Sequence, residues 1–150
     1  MMPADSPKTS VSGDGKDRSK PILRGVIGVM ERDGAYLMVK RAPGLVMGGT
    51  WCFPGGHLER GENARMAVCR ELEEELGVKV EAVERLGSLR LLRWRHARYI
   101  LAVWRVRHVE GAFHLNEDEV ANMRWARPND VRSMSPGLES NLEVLAMLGH

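Results

Sequence analysis

The chain has few cysteines and no long hydrophobic run. Cys52 and Cys69 are its only cysteines, with no metal-ligand spacing between them and too few thiols for a disulfide framework. A reducing cytoplasm is therefore the expected compartment. No apolar segment approaches the roughly 20 residues that cross a bilayer, and residues 1–20 contain no stretch resembling a secretory signal. These absences argue against a membrane partner and against a disulfide-rich secreted domain.

A strong net charge is also absent, because the formal value is only +2 at pH 7. Such a balance gives little reason to expect nucleic acid as a partner. Residues 85–108 nevertheless carry arginines and no acid: Arg85, Arg90, Arg93, Arg95, Arg98, Arg105 and Arg107. We interpret them as solvated strand faces. The alternative is a positive wall that attracts a phosphate-rich ligand.

Composition divides the chain into a tail and one domain. Residues 1–20 are rich in Ser, Asp, Lys, Gly and Pro, and a segment with so little apolar surface is predicted to be disordered. The remaining residues, 21–150, are enough for a single domain with a buried core.

Hydrophobic patterning predicts a mixed α/β architecture. Strands are expected at 22–30, 36–40, 78–92, 98–109 and 120–126, with a short extended piece at 51–53 that ends at Pro54-Gly55-Gly56. The strongest helix candidate spans 64–76, with Asn63 to cap its start and Gly77 its end. A helical turn near 128–131 and a closing helix over 138–148 follow. Strands on both sides of a long helix suggest a mixed sheet with helices packed on it.

The helix at 64–76 gathers carboxylates on one side. At 100° per residue, Glu71, Glu74 and Glu75 fall within an arc of about 100°, where like charges repel one another. A divalent cation removes that repulsion, and Mg²⁺ prefers hard oxygen ligands, water and phosphate oxygens. Arg70 is spaced to pair with Glu74 at i+4 and to hold a ligand in place. The helix is therefore interpreted as a metal platform for a diphosphate.

The segment around this helix resembles the Nudix box of the Nudix hydrolases at every position: Gly56, Glu62, Arg70, Glu71, Leu72, Glu74, Glu75, Gly77 and Val78. The resemblance implies an α/β/α sandwich with a mixed β-sheet that binds Mg²⁺ (or Mn²⁺). It also implies that Glu71, Glu74 and Glu75, with the backbone carbonyl near Gly56, bind the metal. In the same pattern Glu62 supports the loop, Arg70 orients a glutamate and Gly77 is structural.

The general base varies within the family, so several residues remain open. A glutamate of the box would make it Glu71 or Glu74, whereas an acid from a later loop would place it in 116–119. Within that loop we favour Glu119, which is also a potential metal ligand, and then Glu117, which could instead contact substrate. Arg41 is a candidate for a phosphate contact, and Phe53 for stacking on a base.

The implied reaction is hydrolysis of a diphosphate linkage in a small nucleotide substrate. The MutT-like approach to the box, Arg41-Ala42-Pro43 and Trp51-Cys52-Phe53-Pro54, favours a nucleoside triphosphate pyrophosphatase that gives the monophosphate and pyrophosphate. The alternatives are an NDP-sugar or ADP-ribose pyrophosphatase, and a nucleotide-sensing module without turnover. Family members are often homodimers, so a homodimer is possible here.

Overall fold

The computed structural model describes residues 21–93 and 97–150, so the tail predicted at 1–20 and the basic residues of 94–96 lie outside the described part. The elements are β1 (Ile22–Arg32), β2 (Ala35–Arg41), β3 (Trp51–Cys52), β4 (Gly55–His57), α1 (Ala64–Leu76), β5 (Lys79–Arg93), β6 (Ala97–Glu110), β7 (Val120–Ala126), α2 (Pro128–Ser133) and α3 (Ser140–Met147). None of the helices in this described part is long and apolar enough to cross a membrane.

Strand β1 lies at the centre of a mixed sheet. It pairs with β6 in parallel, with β4 antiparallel, and through Glu31 and Arg32 with the start of β2. Strand β5 pairs antiparallel with β6, while β3 and β7 flank β2. The strand predicted at 98–109 is present as β6, and it lies between β1 and β5.

Helices cover both faces of this sheet. At Gly28 of β1 a methyl group would meet the Leu72 side chain of α1 at 2.9 Å, and at Gly87 of β5 it would meet Met147 of α3 at 3.2 Å. Gly28 lies opposite Trp104 of β6, and Gly87 lies opposite Val103. Consecutive strand residues point to opposite faces, so α1 and α3 lie on opposite sides. The predicted α/β/α sandwich is confirmed.

The short extended piece ends before Pro54, as predicted, but the two glycines that follow begin a strand that the sequence analysis did not predict. Gly55–His57 forms β4 and pairs with Gly25, Val26 and Ile27. The strand is held by backbone pairing in which glycine takes part on both sides, since a methyl group at Gly25 would overlap the Gly56 carbonyl oxygen. No alternation of apolar and polar side chains in the sequence predicts this strand.

Several arginines of β5 and β6 lie on the protein surface. Arg85, Arg90 and Arg107 are exposed. Arg107 forms an ion pair with Glu81, and Arg105 lies 3.6 Å from a carboxylate oxygen of Glu84. For Arg85, Arg90 and Arg107 the exposure agrees with the interpretation as solvated strand faces, and acids of β5 face Arg105 and Arg107 of β6.

Candidate metal centre

Helix α1 has the predicted bounds and both predicted caps. The Asn63 side chain accepts a hydrogen bond from the Met66 backbone N–H at 2.8 Å, as an N-cap residue does. Gly77 ends the helix with φ of 73°, and its N–H donates to the Glu73 carbonyl. A left-handed residue at this point favours glycine, and His114 leaves little room for a side chain there. The caps fix where the acidic turns of the helix begin and end.

Arg70 joins the helix to the loop that precedes it. Its Nε and Nη2 donate to the two carboxylate oxygens of Glu62 at 2.7 and 2.9 Å, and Nη2 also donates to the His57 carbonyl at 2.9 Å. Nη1 donates to Glu71 at 2.8 Å and to Glu74 at 3.1 Å. The Arg70–Glu74 pair expected from the i+4 spacing is present, but the paired hydrogen bonds to Glu62 are shorter. The guanidinium thus fixes the Glu71 carboxylate relative to the loop.

Gly56 makes room for the Glu71 side chain. A Cβ at Gly56 would overlap the carboxyl carbon and both carboxylate oxygens of Glu71. The acid therefore packs directly against the backbone of β4, where only glycine leaves space for it. This contact brings the main chain at Gly56 next to a carboxylate oxygen of Glu71. Two groups that bind the same metal ion must lie close together in this way.

The loop before β7 is attached to the carboxyl end of α1. His114 N–H donates to the Leu76 carbonyl at 2.8 Å and Asn116 N–H to the Glu75 carbonyl at 3.0 Å. The last carbonyls of a helix have no partner within it, so the loop supplies donors to two of them. Asn116 in turn accepts from the backbone N–H of Glu119 at 2.9 Å. These backbone hydrogen bonds hold the loop that contains Glu119 against the end of α1.

Three carboxylates meet as a result. Oxygens of Glu71, Glu75 and Glu119 lie within 4.8 Å of one another. Burial raises the pKa of Glu75 well above its usual value, with further increases from Glu71 and Glu119. The pKa of Glu119 is also raised, first by burial and then by the charges of Glu71 and Glu74. Negative charge is crowded here, and a cation would relieve it.

The three side chains fit a hard divalent ion. Mg²⁺ holds its ligand oxygens at about 2.1 Å, and one oxygen from each of the three carboxylates lies within 4.8 Å of the other two. All three donors are carboxylate oxygens, which Mg²⁺ and Mn²⁺ prefer. The space that Gly56 leaves beside β4 lets the Glu71 carboxylate lie where it could bind such an ion.

Glu74 and Glu117 lie outside this cluster of three. The Glu74 side chain is 47% exposed and is held by Arg70. Together with the exposed Glu117 it borders a cavity of about 620 Å³, along with His114, Asn116 and Asp118. The structure therefore places Glu119, rather than Glu74, with Glu71 and Glu75.

Arg41 and Phe53 are buried in the core. Arg41 has no exposed surface and Phe53 is 3% exposed. Phe53 packs edge to face against Tyr36, with ring centroids 6.3 Å apart, and Arg41 Nε donates to the Val46 carbonyl at 2.8 Å. Side chains so enclosed do not meet a ligand from solvent in this conformation, so the geometry gives no support to their predicted contacts with substrate.

Two participants were not found in the sequence. Glu59 places a carboxylate oxygen 3.5 Å from Arg70 Nε, and its backbone N–H donates to Glu62 at 2.9 Å. Asn116 anchors the loop that carries Glu119. The Glu59/Glu62 spacing in a turn was a usable signal, whereas the anchoring by Asn116 depends on backbone bonds between distant segments.

Comparison with known proteins identifies the class. The family model for the NUDIX domain matches residues 20–148, and the chain belongs to this family: it is a Nudix hydrolase. Its curated relatives include the CTP pyrophosphohydrolase of Escherichia coli (strain K12), which is 33% identical over 106 residues, 70% of this chain and 76% of that protein. The MutT-like protein of Streptomyces ambofaciens is 35% identical over 104 residues, 69% of this chain and 62% of that protein.

A longer relative and two solved structures are also similar to this chain, and the structures have the same fold. The NAD-capped RNA hydrolase NudC of Pseudomonas aeruginosa (strain LESB58) is 29% identical over 65% of this chain, which spans only 34% of that protein. The crystal structure of a MutT NUDIX hydrolase from Burkholderia pseudomallei matches with a TM-score of 0.77 at 24% identity, covering 86% of this chain and 99% of the other. The solution structure of the E. coli ORF135 protein matches with a TM-score of 0.75 at 26% identity, over 88% and 91%.

Proposed function

We propose that this Nudix hydrolase is a nucleoside triphosphate pyrophosphatase, dependent on Mg²⁺ or Mn²⁺, whose catalytic unit is residues 21–150. The observation that carries the proposal is the group of Glu71, Glu75 and Glu119 oxygens within 4.8 Å of one another. The triphosphate assignment is supported by the CTP pyrophosphohydrolase of E. coli, of which the chain covers 76% at 33% identity.

The chemistry is attack of water on a phosphorus atom of the diphosphate linkage. A divalent cation held by Glu71, Glu75 and Glu119 would polarise the phosphoryl oxygens and neutralise the charge that develops on them. Arg70 holds Glu71 through the 2.8 Å hydrogen bond, and this bond orients the acid before substrate arrives.

Glu119 is the proposed general base. It is half-buried, belongs to the carboxylate cluster and is less enclosed than Glu75. Without a cation its pKa is raised above the usual value by burial and then by Glu71 and Glu74, and a positioned carboxylate can accept a proton from water. The proton of the attacking water passes to Glu119, the water oxygen bonds to one phosphorus of the α,β linkage, and the bond between that phosphorus and the bridging oxygen breaks to give nucleoside monophosphate and pyrophosphate.

A substrate panel tests the proposal. Purified protein is incubated with Mg²⁺ or Mn²⁺ and with ribo- and deoxynucleoside triphosphates, NDP-sugars and ADP-ribose, and the products are separated by anion exchange. We expect a nucleoside monophosphate and pyrophosphate from at least one triphosphate, with no turnover in EDTA. Hydrolysis in ¹⁸O-water would show which phosphorus is attacked.

The alternative activity gives different products. Turnover of NDP-sugars or ADP-ribose to a monophosphate and a sugar phosphate, with triphosphates untouched, would replace the triphosphate assignment. Metal and nucleotide binding without turnover of any compound would make the protein a nucleotide-sensing module. Light scattering on the same sample measures whether it is a homodimer.

A further inference from the structure

The arginines of β1, β5 and β6 point to two different sides of the sheet. Consecutive strand residues alternate between the two sides, and Gly28 of β1 faces α1. Arg105 of β6 lies opposite Val29, the next residue of β1. Arg105 therefore points away from α1, and so does Arg107 two residues later in the same strand.

On the side away from α1, the arginines have acids beside them. Arg105 lies 3.6 Å from a carboxylate oxygen of Glu31 and 3.6 Å from one of Glu84. Arg107 forms an ion pair with Glu81. The positive charge on this side of the sheet is therefore balanced by acids of the protein itself.

A second group of arginines points to the side that faces α1. Trp104 of β6 lies opposite the glycine of β1 that α1 contacts, and Arg85 of β5 lies opposite Trp104. Ile100, four residues earlier in β6, points to the same side as Trp104. It lies between Arg90 of β5 and Arg24 of β1. Arg24, Arg85 and Arg90 are exposed, so α1 leaves this end of the sheet uncovered.

This second group is not balanced by acids. Among the residues that the structure describes, Arg24 and Arg90 form no ion pair, and Arg85 bonds the neutral Ser88 hydroxyl at 2.6 Å. Within the described parts of β1, β5 and β6, Glu110 is the one acid that points to this side. It is the last residue of β6 and lies about 33 Å along the strand from the level of Arg90. Positive charge therefore accumulates at the uncovered end.

Arg98 adds a fourth guanidinium to this end of the sheet. It lies opposite Ile22 of β1, two residues before Ile100 in β6. Ile22 is 44% exposed and Ile100 is half-buried, so apolar surface separates the charges. We call this surface the arginine face, and its residues are Ile22, Arg24, Arg85, Arg90, Arg98 and Ile100.

The spacing of the arginine face fits a chain of phosphates. Neighbouring strands lie about 4.8 Å apart, so Arg24 and Arg90 are about 10 Å apart across three strands. Guanidinium groups so far apart do not converge on one phosphate, but they can bind separate phosphates of one extended chain. All four cations are arginines, whose planar forks match phosphate oxygens and also stack on flat rings.

The apolar residues favour a single strand over a duplex. A single-stranded nucleic acid exposes its bases to a protein surface, whereas a duplex keeps them inside. Ile22 and Ile100 supply apolar contacts between the arginines. Beside Arg24 a cavity of about 420 Å³ opens, with Leu58 and Arg60 also in its wall, and its size is that of a small ligand pocket. Such a cavity has room for an unstacked base.

We propose that the arginine face binds a single-stranded nucleic acid through its phosphates, at a surface separate from the carboxylate cluster. The small net charge of the chain hides this feature, because a local group of cations is sufficient for such binding. The basic residues noted in the sequence thus divide into a neutralised group and a binding group. The inference goes beyond the proposed hydrolysis and does not depend on it.

The test measures binding of RNA in EDTA, where no metal can join a phosphate to the carboxylates. The probe is a fluorescein-labelled oligouridine of about 20 nucleotides with a 5′-hydroxyl end, longer than a typical single-strand site. Fluorescence anisotropy gives its affinity for the full chain between about 50 and 200 mM NaCl. We expect the double variant Arg24→Gln/Arg90→Gln to bind about tenfold more weakly at the lowest salt.

The salt dependence gives a second readout. Each phosphate contact of a single strand contributes about 0.7 to the slope of log affinity against log salt. The slope of Arg24→Gln/Arg90→Gln should therefore be shallower than that of wild type by about 1.4. An unchanged slope and affinity in this variant would overturn the proposal.

The matched control is Arg105→Gln/Arg107→Gln, which removes the same number of charges from the opposite side of the sheet. We expect its RNA affinity to stay within about twofold of wild type, because those arginines are already paired with acids. An equal loss in the two double variants would reduce the effect to net charge and contradict a specific face. Both double variants should keep the wild-type kcat for nucleotide, and a parallel loss of kcat in Arg24→Gln/Arg90→Gln would contradict a separate surface.

Two further probes test the kind of partner. A duplex of the same length that binds more tightly than the oligouridine would overturn the single-strand assignment. Sedimentation with vesicles of phosphatidylserine and phosphatidylcholine tests a membrane: vesicle binding that depends on Arg24 and Arg90, without RNA binding, would overturn the assignment to nucleic acid. A protein that binds RNA in this way but hydrolyses no triphosphate would contradict the proposed function alone.

Discussion

Arg70 and Glu62 form a two-pronged ion pair in which Nε and Nη2 bond separate carboxylate oxygens at 2.7 and 2.9 Å. The pair connects the loop before α1 to the middle of the helix, and the remaining nitrogen of Arg70 bonds Glu71. The hydrogen bond from Arg70 is the main reason why the pKa of Glu62 lies below its usual value. Glu62, which lies outside the carboxylate cluster, thereby fixes through Arg70 the orientation of Glu71, which lies within it.

Replacement of Glu62 by Gln should therefore lower kcat and metal affinity together. Residues that orient metal ligands typically contribute a factor of about 10–100, and we expect a loss in that range. Arg70→Lys should lose a similar amount, because an ammonium cannot bond two oxygens as a planar fork does. The matched control is Glu81→Gln, which breaks the exposed pair with Arg107 and should leave kcat unchanged. Equal effects in the two glutamine variants would refute the orienting role.

Gly56→Ala should disable the site without unfolding the protein. The added methyl group would overlap the Glu71 carboxyl, and the acid would have to move away from β4. We expect Mn²⁺ affinity measured by calorimetry to fall at least tenfold and kcat to fall with it. Gly44→Ala is the control, because nothing lies within 4 Å of a Cβ at that position. Wild-type metal affinity in Gly56→Ala would show that the contact is unimportant.

Glu119→Gln and Glu117→Gln should differ sharply. Loss of a general base costs about 10²–10⁴ in rate, so we expect a fall of that order in kcat for Glu119→Gln. Glu117 is exposed and lies outside the cluster of three, and its variant should stay within a few-fold of wild type. Because the pKa of Glu119 is raised, the wild-type rate should increase with pH as the carboxylate ionises. That rise should be missing in Glu119→Gln, and the reverse pattern would assign the base to Glu117.

Glu75→Gln should stabilise the metal-free protein, and more so at higher pH. The pKa of buried Glu75 is raised in the fold, so the folded state binds this proton more tightly than the unfolded state does. Stability then falls as the pH rises from the unfolded value towards the folded one. Urea unfolding in EDTA at pH 5 and pH 8 measures the difference between wild type and variant. A constant difference would contradict the raised pKa, and added Mg²⁺ should favour wild type only.

The sequence was informative where one segment determines its own geometry. The bounds of α1 follow from Asn63, Gly77 and the apolar spacing between them, and the structure agrees. The pairing of Arg70 with Glu74 follows in the same way, because an i+4 spacing on a helix is local. The sandwich itself followed from the order of strands and helices and from the resemblance to the Nudix box.

Long-range backbone bonds account for what the sequence did not reveal. Glu119 was a candidate from the sequence, but the bonds of His114 and Asn116 to the end of α1, which bring it to the cluster, are not encoded in any side-chain pattern. β4 forms by backbone pairing at glycines, which have no side-chain periodicity. Arg41 was expected to contact a substrate phosphate, because arginine is usually exposed, yet its side chain is completely buried and its Nε donates to the Val46 carbonyl.

Strand β1 is paired along both of its edges, and this pairing fixes the position of Gly56. Gly25, Val26 and Ile27 pair with β4 on one side and with β6 on the other. A slip of β4 by a single residue along β1 would displace Gly56 by about 3.3 Å and turn its neighbours to the opposite face. The Glu71 carboxylate would then lie against Gly55 or His57 of β4 and would lose the space that Gly56 leaves for it. An error in the register of β4 during folding would thus disrupt the proposed metal site while leaving most of the core buried. Binding of a divalent cation would therefore be a sensitive measure of correct strand register.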